Sequence, residues 1–359
     1  MLSFSNRGGI TFPHIHLKPA INREGAFYKR LVSVRQSAAV VAVAAGMFFV
    51  AYGIHAPWPI NGSNGSAGAY QSSKDTTNLI TSDPDTCSAD DEQHDEQFTA
   101  CPGFVINYAG QPNGSIGNGI FNIYAGAPVA NDEAQYYLNS HQNIRIENGS
   151  LVLTALNQQN HGYKYSSARI DTHGKEDFLY GKMVVRAKIP NGIGTWPSIW
   201  LLPSQSKYEK LSPVSDSTRY LNDGEIDIAE AVGTEPNVVY GIAHSLAYPE
   251  DGKNHAYFNT MTVPGNDKAF HDYELDWTPT KLTFSIDGKP YFIYSKKPNA
   301  DYHSWPFDQP FYLVMNLALG GDWGGTDTAQ FPGDGVDKTA LPAALKVQSI
   351  RYYSFAGPQ

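Results

Sequence analysis

Downstream of about residue 103 the chain is written in short β-type runs separated by turn residues, and this pattern limits what it can fold into. NIRIENGSLVLTA (143–155) is two β-rich runs joined through Asn148-Gly149, and KLTFSIDGKPYFIYS (281–295) is two more joined through Asp287-Gly288. Asn-Gly and Asp-Gly supply the positive φ angles of two-residue hairpin turns. KMVVRAKI (182–189) alternates Met183, Val185, Ala187 and Ile189 with Lys182, Arg186 and Lys188, as a strand with one buried face does. FYLVMNLAL (311–319) and VQSIRYYSF (347–355) add further strands, and long runs with helical apolar spacing are scarce. Apolar residues at 41% and aromatics at 13% suffice for a large core, while 33 Gly and 23 Pro supply many turns. The expectation is an all-β domain, a sandwich or jelly roll.

The front of the chain differs. Residues 1–36 carry six Lys/Arg against Glu24, so the net charge of −9 leaves −14 for the rest. A domain that acidic is a poor partner for nucleic acid or a polyanion and is compatible with a neutral ligand. The basic segment runs into SAAVVAVAAGMFFVAYGI (37–54), 18 residues without a charge, which just suffices to span a membrane. The preceding Lys/Arg excess places the N-terminus in the cytoplasm. A cleaved signal peptide is the alternative; its best small-x-small site, Ile54-His55-Ala56, is followed by Pro57, which disfavours cleavage. The expected organisation is a cytoplasmic segment over 1–36, a transmembrane anchor over 37–56, a linker with an acidic loop over 57–102, and an extracytoplasmic domain over 103–359. Residues 57–82 are rich in Gly, Ser and Asn and read as a tether. Cys87 and Cys101 would close a loop of 14 residues as a disulfide outside the cytoplasm, the alternative being two unrelated thiols.

GEIDIAEAVG (224–233) puts Glu225, Asp227 and Glu230 among Ile226, Ile228 and Ala229. As a strand, Glu225 and Asp227 share one face and Ile226 and Ile228 the other. Glu230 falls on the wrong face unless a β-bulge at Ile228-Ala229 restores it. Glu225 and Glu230 would then stand roughly 13 Å apart at Cα, and their carboxyls could approach to about 5–6 Å, the separation of a retaining glycoside hydrolase. In that chemistry one carboxylate attacks the anomeric carbon and the other begins protonated, with Asp227 sharing hydrogen bonds between them. A solvated acidic edge strand or a calcium site are the alternatives for this hexapeptide alone. Trp196 and Trp200, in GIGTWPSIWLLPS (192–204), offer flat faces to sugar C–H groups or else serve as core. Trp323, in GGDWGG (320–325), sits among four glycines that leave it few neighbours, which points it toward ligand.

EIDIAE, with WPSIWLLP and FYLVMNLALGGDWGG, resembles glycoside hydrolase family 16 in the branch with the bulged E-x-D-x-x-E motif, which includes laminarinases and β-1,3-1,4-glucanases. NDEAQYY (131–137), SSARIDTHGKEDFLYGKMVVRAKIP (166–190), VYGIAHS (239–245) and HDYELDWTPTKLTFSIDG (271–288) extend the resemblance along most of 103–356. It implies a jelly-roll sandwich of the concanavalin A-like kind whose concave face binds an extended neutral β-glucan. Carried over by position, Glu225 is the nucleophile, Glu230 the acid/base and Asp227 the assisting carboxylate. Trp196, Trp200 and Trp323 match aromatic subsite residues, and Asn131, Glu133, Arg169 and His244 match polar positions lining the cleft, although a lone strand histidine is also a common core residue. Asn316 is a further candidate for the cleft face. No cofactor is expected for catalysis, a structural calcium is implied for many members, and a monomer is expected. One departure is SQSKYEKLSPVSDSTRYLND (204–223), a long segment beside the acidic strand that could narrow or cap subsites. The other readings are an exopolysaccharide-processing hydrolase or transglycosylase on the same site, and a non-catalytic glucan-binding protein. The crowding of Glu225 and Glu230 argues against the last, because binding alone gives no reason for it.

Overall fold

The structure, a computed structural model, describes Leu79–Ile80 and residues 87–357 apart from 90, 118, 129, 209–210, 212–218, 248–255, 326–329 and 332. The first half runs through β1 (Leu79–Ile80), β2 (Phe104–Asn107), β3 (Asn122–Tyr124), β4 (Gln135–Tyr137), β5 (Ile144–Glu147), β6 (Ser150–Ala155), β7 (Tyr165–Ser167), β8 (Arg169–Asp171) and β9 (Gly181–Lys188). There follow β10 (Thr195–Pro203), β11 (Glu225–Glu230), β12 (Val238–His244), β13 (Ala256–Thr262), β14 (His271–Thr278), β15 (Lys281–Ile286), β16 (Lys289–Ser295), β17 (Phe311–Leu319) and β18 (Ala343–Ser354). Among the described residues helix is confined to single turns.

Both dipeptide turns form where the sequence places them. Asn148 and Gly149 (φ 50° and 69°) join β5 to β6, and Asp287 and Gly288 (φ 50° and 72°) join β15 to β16. Those left-handed angles match the twist of the flanking strands. One antiparallel sheet has the order β13-β12-β11-β10-β17-β8-β3. The other runs β1-β2-β18-β9-β14-β15-β16, with β6 also on β18 and β5 on β6, while β4 and β7 form a separate parallel pair. Ile199, Leu201, Ile226, Val239, Leu313 and Met315 of the first sheet share one buried cluster with Val185, Ala187, Leu275, Phe284, Leu345 and Val347 of the second. Two sheets sealed by one apolar layer make the expected all-β sandwich.

The acidic residues after 86 are mostly exposed, as in a solvated loop, but the segment is tied to the sheet at its ends. Cys87 and Cys101 are disulfide-bonded, Phe98 is buried against Val184 and Tyr353, and the Tyr353 hydroxyl donates to the Asp91 carbonyl at 2.7 Å. β1 pairs with β2. A buried phenyl ring and a covalent link outweigh the local charge, so the domain begins ahead of residue 103. The uncharged run 37–54, expected as an anchor, lies outside the described residues. Among the described residues no helix is long and apolar enough to cross a membrane.

Candidate active site

The register around β11 contains the bulge that the carboxylate spacing requires. Glu225 lies opposite His244, Asp227 opposite Ile242 and Glu230 opposite Tyr240, so three steps on β11 match two on β12. On the other flank Asp227 faces Trp200 while Ala229 faces Ile199. The extra residue turns Ile228 and Ala229 both into the core, where each is at most 1% exposed. Glu225, Asp227 and Glu230 are left together on the outer face of the sheet.

Neighbouring strands bring their own outer-face residues alongside. On β10 the odd positions Ile199 and Leu201 enter the core, and Trp196, Ser198 and Trp200 turn outward. Asn316 of β17 pairs with Ser198 on one side and with Arg169 of β8 on the other, and Arg169 pairs with Tyr124 of β3. His244 is thereby on the carboxylate face rather than in the core, its Nε2 3.1 Å from Asp227 Oδ2. Period-two alternation accounts for all of these placements.

Hydrogen bonds fix the array. Trp196 Nε1 donates to Glu230 Oε1 at 2.6 Å, and Ser198 Oγ donates to the same oxygen at 3.2 Å. Trp200 Nε1 donates to Asn316 Oδ1 at 2.8 Å, Asn316 Nδ2 to the Tyr137 hydroxyl at 3.3 Å, and that hydroxyl to Glu133 Oε2 at 3.0 Å. Gln135 Nε2 donates to the same Glu133 oxygen at 2.5 Å. The Arg169 guanidinium carbon lies 5.0 Å from the centre of the Trp200 ring, within cation–π range. Both indoles are over nine-tenths buried, and each acts through its N–H.

Burial is the main cause of a raised pKa at each glutamate of the site. For Glu225 the charges of Asp227 and Glu230 push it further up and Arg169 opposes them. For Glu230 burial and Asp227 raise it, while the donors Trp196 and Ser198 favour the ionised form. Glu133 is raised by burial against Gln135, Tyr137 and Arg169. Among the described residues no N–H or hydroxyl donates to either oxygen of Glu225 or to Glu230 Oε2. The two glutamates therefore have distinct settings: Glu230 has one oxygen held by two donors and one without a donor, and Glu225 has no donor on either oxygen.

Trp323 is only half-buried but has more neighbours than its glycines suggest. It stands edge-on to Trp196 at 5.6 Å and to Tyr240 at 4.9 Å between ring centres. Gly321 (φ 74°) makes this possible, since a Cβ there would lie 2.5 Å from the Asn131 carbonyl oxygen. Asn131, itself left-handed (φ 64°), accepts from the Asp322 N–H at 2.9 Å and so ties the tryptophan turn to the strand carrying Gln135 and Tyr137. The start of the long 204–223 segment is pinned too. Tyr208 N donates to Asp223 Oδ1 at 2.6 Å, its hydroxyl reaches Asp308 at 2.6 Å, and its ring stacks on Tyr302.

Ser198, Gln135, Tyr137 and Tyr240 belong to the site without having been singled out in the sequence. Ser198 was readable, lying two residues from each outward tryptophan. Gln135 and Tyr137 stand in the NDEAQYY motif beside Glu133, but the parallel pairing of β4 and β7 that positions them is non-local.

Glu225, Asp227 and His244 offer ligand atoms within 4.8 Å of one another, close enough to hold a metal ion. Two carboxylates and an imidazole fall short of the six to eight oxygens that calcium takes. Among the described residues no other group of three or more acidic, histidine or cysteine side chains comes this close together.

Comparison with known proteins agrees with this geometry. The family model for glycosyl hydrolases family 16 matches residues 131–334, more than half of the chain. A beta-glucanase of Rhodothermus marinus is 39% identical over 232 residues, covering 62% of this chain and 74% of that protein. The glucan endo-1,3-beta-glucosidase A1 of Niallia circulans is 33% identical over 241 residues, and the match spans 62% of this chain but only 32% of that longer protein. The solved structure of the laminarinase from Rhodothermus marinus superposes with a TM-score of 0.63 at 36% identity, over 71% of this chain and 98% of that one. With the bulged carboxylate strand, its tryptophan donors and these matches in agreement, the chain belongs to glycosyl hydrolase family 16.

Proposed function

We propose that the protein is an endo-acting hydrolase of a neutral β-glucan, β-1,3- or β-1,3-1,4-linked, working by double displacement with retention. The observation that carries this reading is the bulge in β11, which sets Glu225 and Glu230 on one buried face with Asp227 between them. The names of the relatives, beta-glucanase, glucan endo-1,3-beta-glucosidase and laminarinase, support the substrate class.

In the first step the Glu225 carboxylate bonds to the anomeric carbon as the bond to the leaving sugar oxygen breaks, and Glu230 donates its proton to that oxygen. In the second, water attacks the same carbon, the ester bond to Glu225 breaks, and the water proton returns to Glu230. Asp227, beside both and 3.1 Å from His244, limits how readily its neighbours ionise. The fixed chain Trp200–Asn316–Tyr137–Glu133, with Arg169 and Asn131, is suited to orient sugar hydroxyls, and Trp196 and Trp323 form an aromatic wall. No cofactor enters these steps.

The same reading takes the domain to be exported and to act as a monomer held at the membrane by residues 37–54. The basic flank before that uncharged run and the Cys87–Cys101 disulfide support it.

A panel of laminarin, lichenan, agarose and xyloglucan, with products sized chromatographically and with EDTA in a parallel set, tests the function. Internal cleavage of laminarin or lichenan to short oligosaccharides of β configuration, unaffected by EDTA, is expected. Exclusive cleavage of agarose or xyloglucan, or release of α-anomers, would overturn it.

A further inference from the structure

The two flanks of the carboxylate strand are built differently. On the β10, β17 and β8 side, Trp200, Asn316 and Arg169 are fixed by a buried chain of hydrogen bonds and by ring contact. On the β12 and β13 side the corresponding outward positions are Tyr240, Ile242 and His244 on β12 and Ala256, Phe258 and Thr260 on β13, with His244 turned to Asp227. That flank offers apolar surface and few fixed polar groups. A sugar bound on the first side is recognised through its hydroxyls; a sugar on the second is held mainly by contact with its C–H face.

Phe258 is the prominent residue of that second flank. It pairs with Ile242, which pairs with Asp227, so its ring belongs to the same outer face as the catalytic carboxylates. β13 is the edge strand of this sheet, two strands from β11, about 10 Å away. Phe258 is 44% exposed, unusual for a phenylalanine on a site-bearing face. Among the described residues it also ends a run of ring contacts: Trp196 to Trp323 at 5.6 Å, Trp323 to Tyr240 at 4.9 Å, and Tyr240 to Phe258 at 5.9 Å. Tyr240 is held by its hydroxyl, which donates to Glu235 at 2.7 Å. The aromatic wall beside Glu230 thus continues to the edge of the sheet, where its last ring is open.

Building on the glucanase reading above, we propose that Phe258 is the acceptor-side platform of the cleft, stacking on a sugar ring beyond the scissile bond and favouring transfer of the glycosyl group to a second sugar over transfer to water. In transfer the acceptor hydroxyl oxygen bonds to the anomeric carbon, the ester bond to Glu225 breaks, and the hydroxyl proton passes to Glu230. Water follows the same balance with the same groups. Occupancy of the acceptor side therefore decides the product.

The test compares wild type, Phe258→Ala and Phe258→Trp on two substrates. One is laminarin or lichenan, whichever wild type cleaves; the other is an aryl β-laminaribioside, whose leaving group carries no sugar, with laminaritriose added as acceptor. The ratio of transfer to hydrolysis products is read within each enzyme and does not depend on the amount folded. In Phe258→Ala that ratio should fall about fivefold to tenfold, and KM on the polymer should rise similarly, as loss of one aromatic stacking face implies. Cleavage of the aryl substrate without acceptor should fall less, and Phe258→Trp should restore the ratio. An unchanged ratio in Phe258→Ala, or equal losses on both substrates, overturns the proposal alone. Failure of wild type to cleave either glucan overturns the glucanase reading and the proposal with it.

Discussion

Glu225 and Glu230 share a face but differ in what holds their oxygens, and that difference lets their proposed tasks be tested separately. Glu230 Oε1 accepts from Trp196 and Ser198, which makes Oε2 the oxygen free to carry the proton. We predict that Glu225→Gln abolishes turnover while leaving glucan binding intact. Glu230→Gln should keep substantial activity on substrates with an activated leaving group, which need no proton. Retention of more than a tenth of wild-type polysaccharide activity by both variants would remove the assignment. The indole donor gives a pH prediction. Trp196 lowers the Glu230 pKa by favouring its ionised form, so Trp196→Phe should raise it. If Glu230 is the acid, as proposed, activity is lost as pH rises through that pKa, and the alkaline limb of the rate profile should therefore move to higher pH. Ser198→Ala removes a donor to the same oxygen and should move the limb the same way, which a packing defect would not do. Each loss should lower kcat by about tenfold, the worth of one hydrogen bond to a charged group. A limb that stays in place in both variants would show that neither donor tunes the acid.

At the scale of the element, β11 was legible because its chemistry and its periodicity conflict: Glu230 can join Glu225 only through a bulge, and the bulge is there. β5–β6 and β15–β16 were legible from two dipeptides, and β9 from its alternation. The surroundings of Trp323 were not, because Trp196 and Tyr240 reach it from β10 and β12, far away in the chain. Nor was the docking of the acidic segment, which depends on Phe98 meeting Phe355 from the chain's other end. Two edge-on contacts change what Trp323→Ala should cost. Glycines alone imply almost none, whereas each ring pair is worth about 0.5–1.5 kcal/mol beyond area burial. We predict a loss of about 2 kcal/mol, a fall in Tm of roughly 4–8 °C, and a KM on glucan raised about tenfold. Trp323→Phe should recover most of the stability. A fall in Tm with KM unchanged in the folded fraction would make Trp323 a structural residue.

The whole molecule joins a basic, apolar front to an acidic catalytic domain, and the fold bears on where the two can be cut apart. β1 is paired into the larger sheet at Leu79–Ile80, and Cys87 and Cys101 clasp the segment carrying Phe98 onto it. Removing that clasp should cost about 3 kcal/mol for a loop of this size, so an active fragment should keep everything from β1 onward. What lies between the uncharged run and β1 is the stretch from 57 to 78, rich in Gly, Ser and Asn. If residues 37–54 anchor the chain with its basic end inside, protease added to intact cells expressing the full chain should release active enzyme into the medium. The released fragment should begin within 57–78 and still contain the disulfide, seen as a mobility shift on reduction. Active enzyme in the medium before protease would mean that the segment is cleaved as a signal. Activity confined to the cytosolic fraction would rule out export, because the acidic domain would then never reach an extracellular glucan.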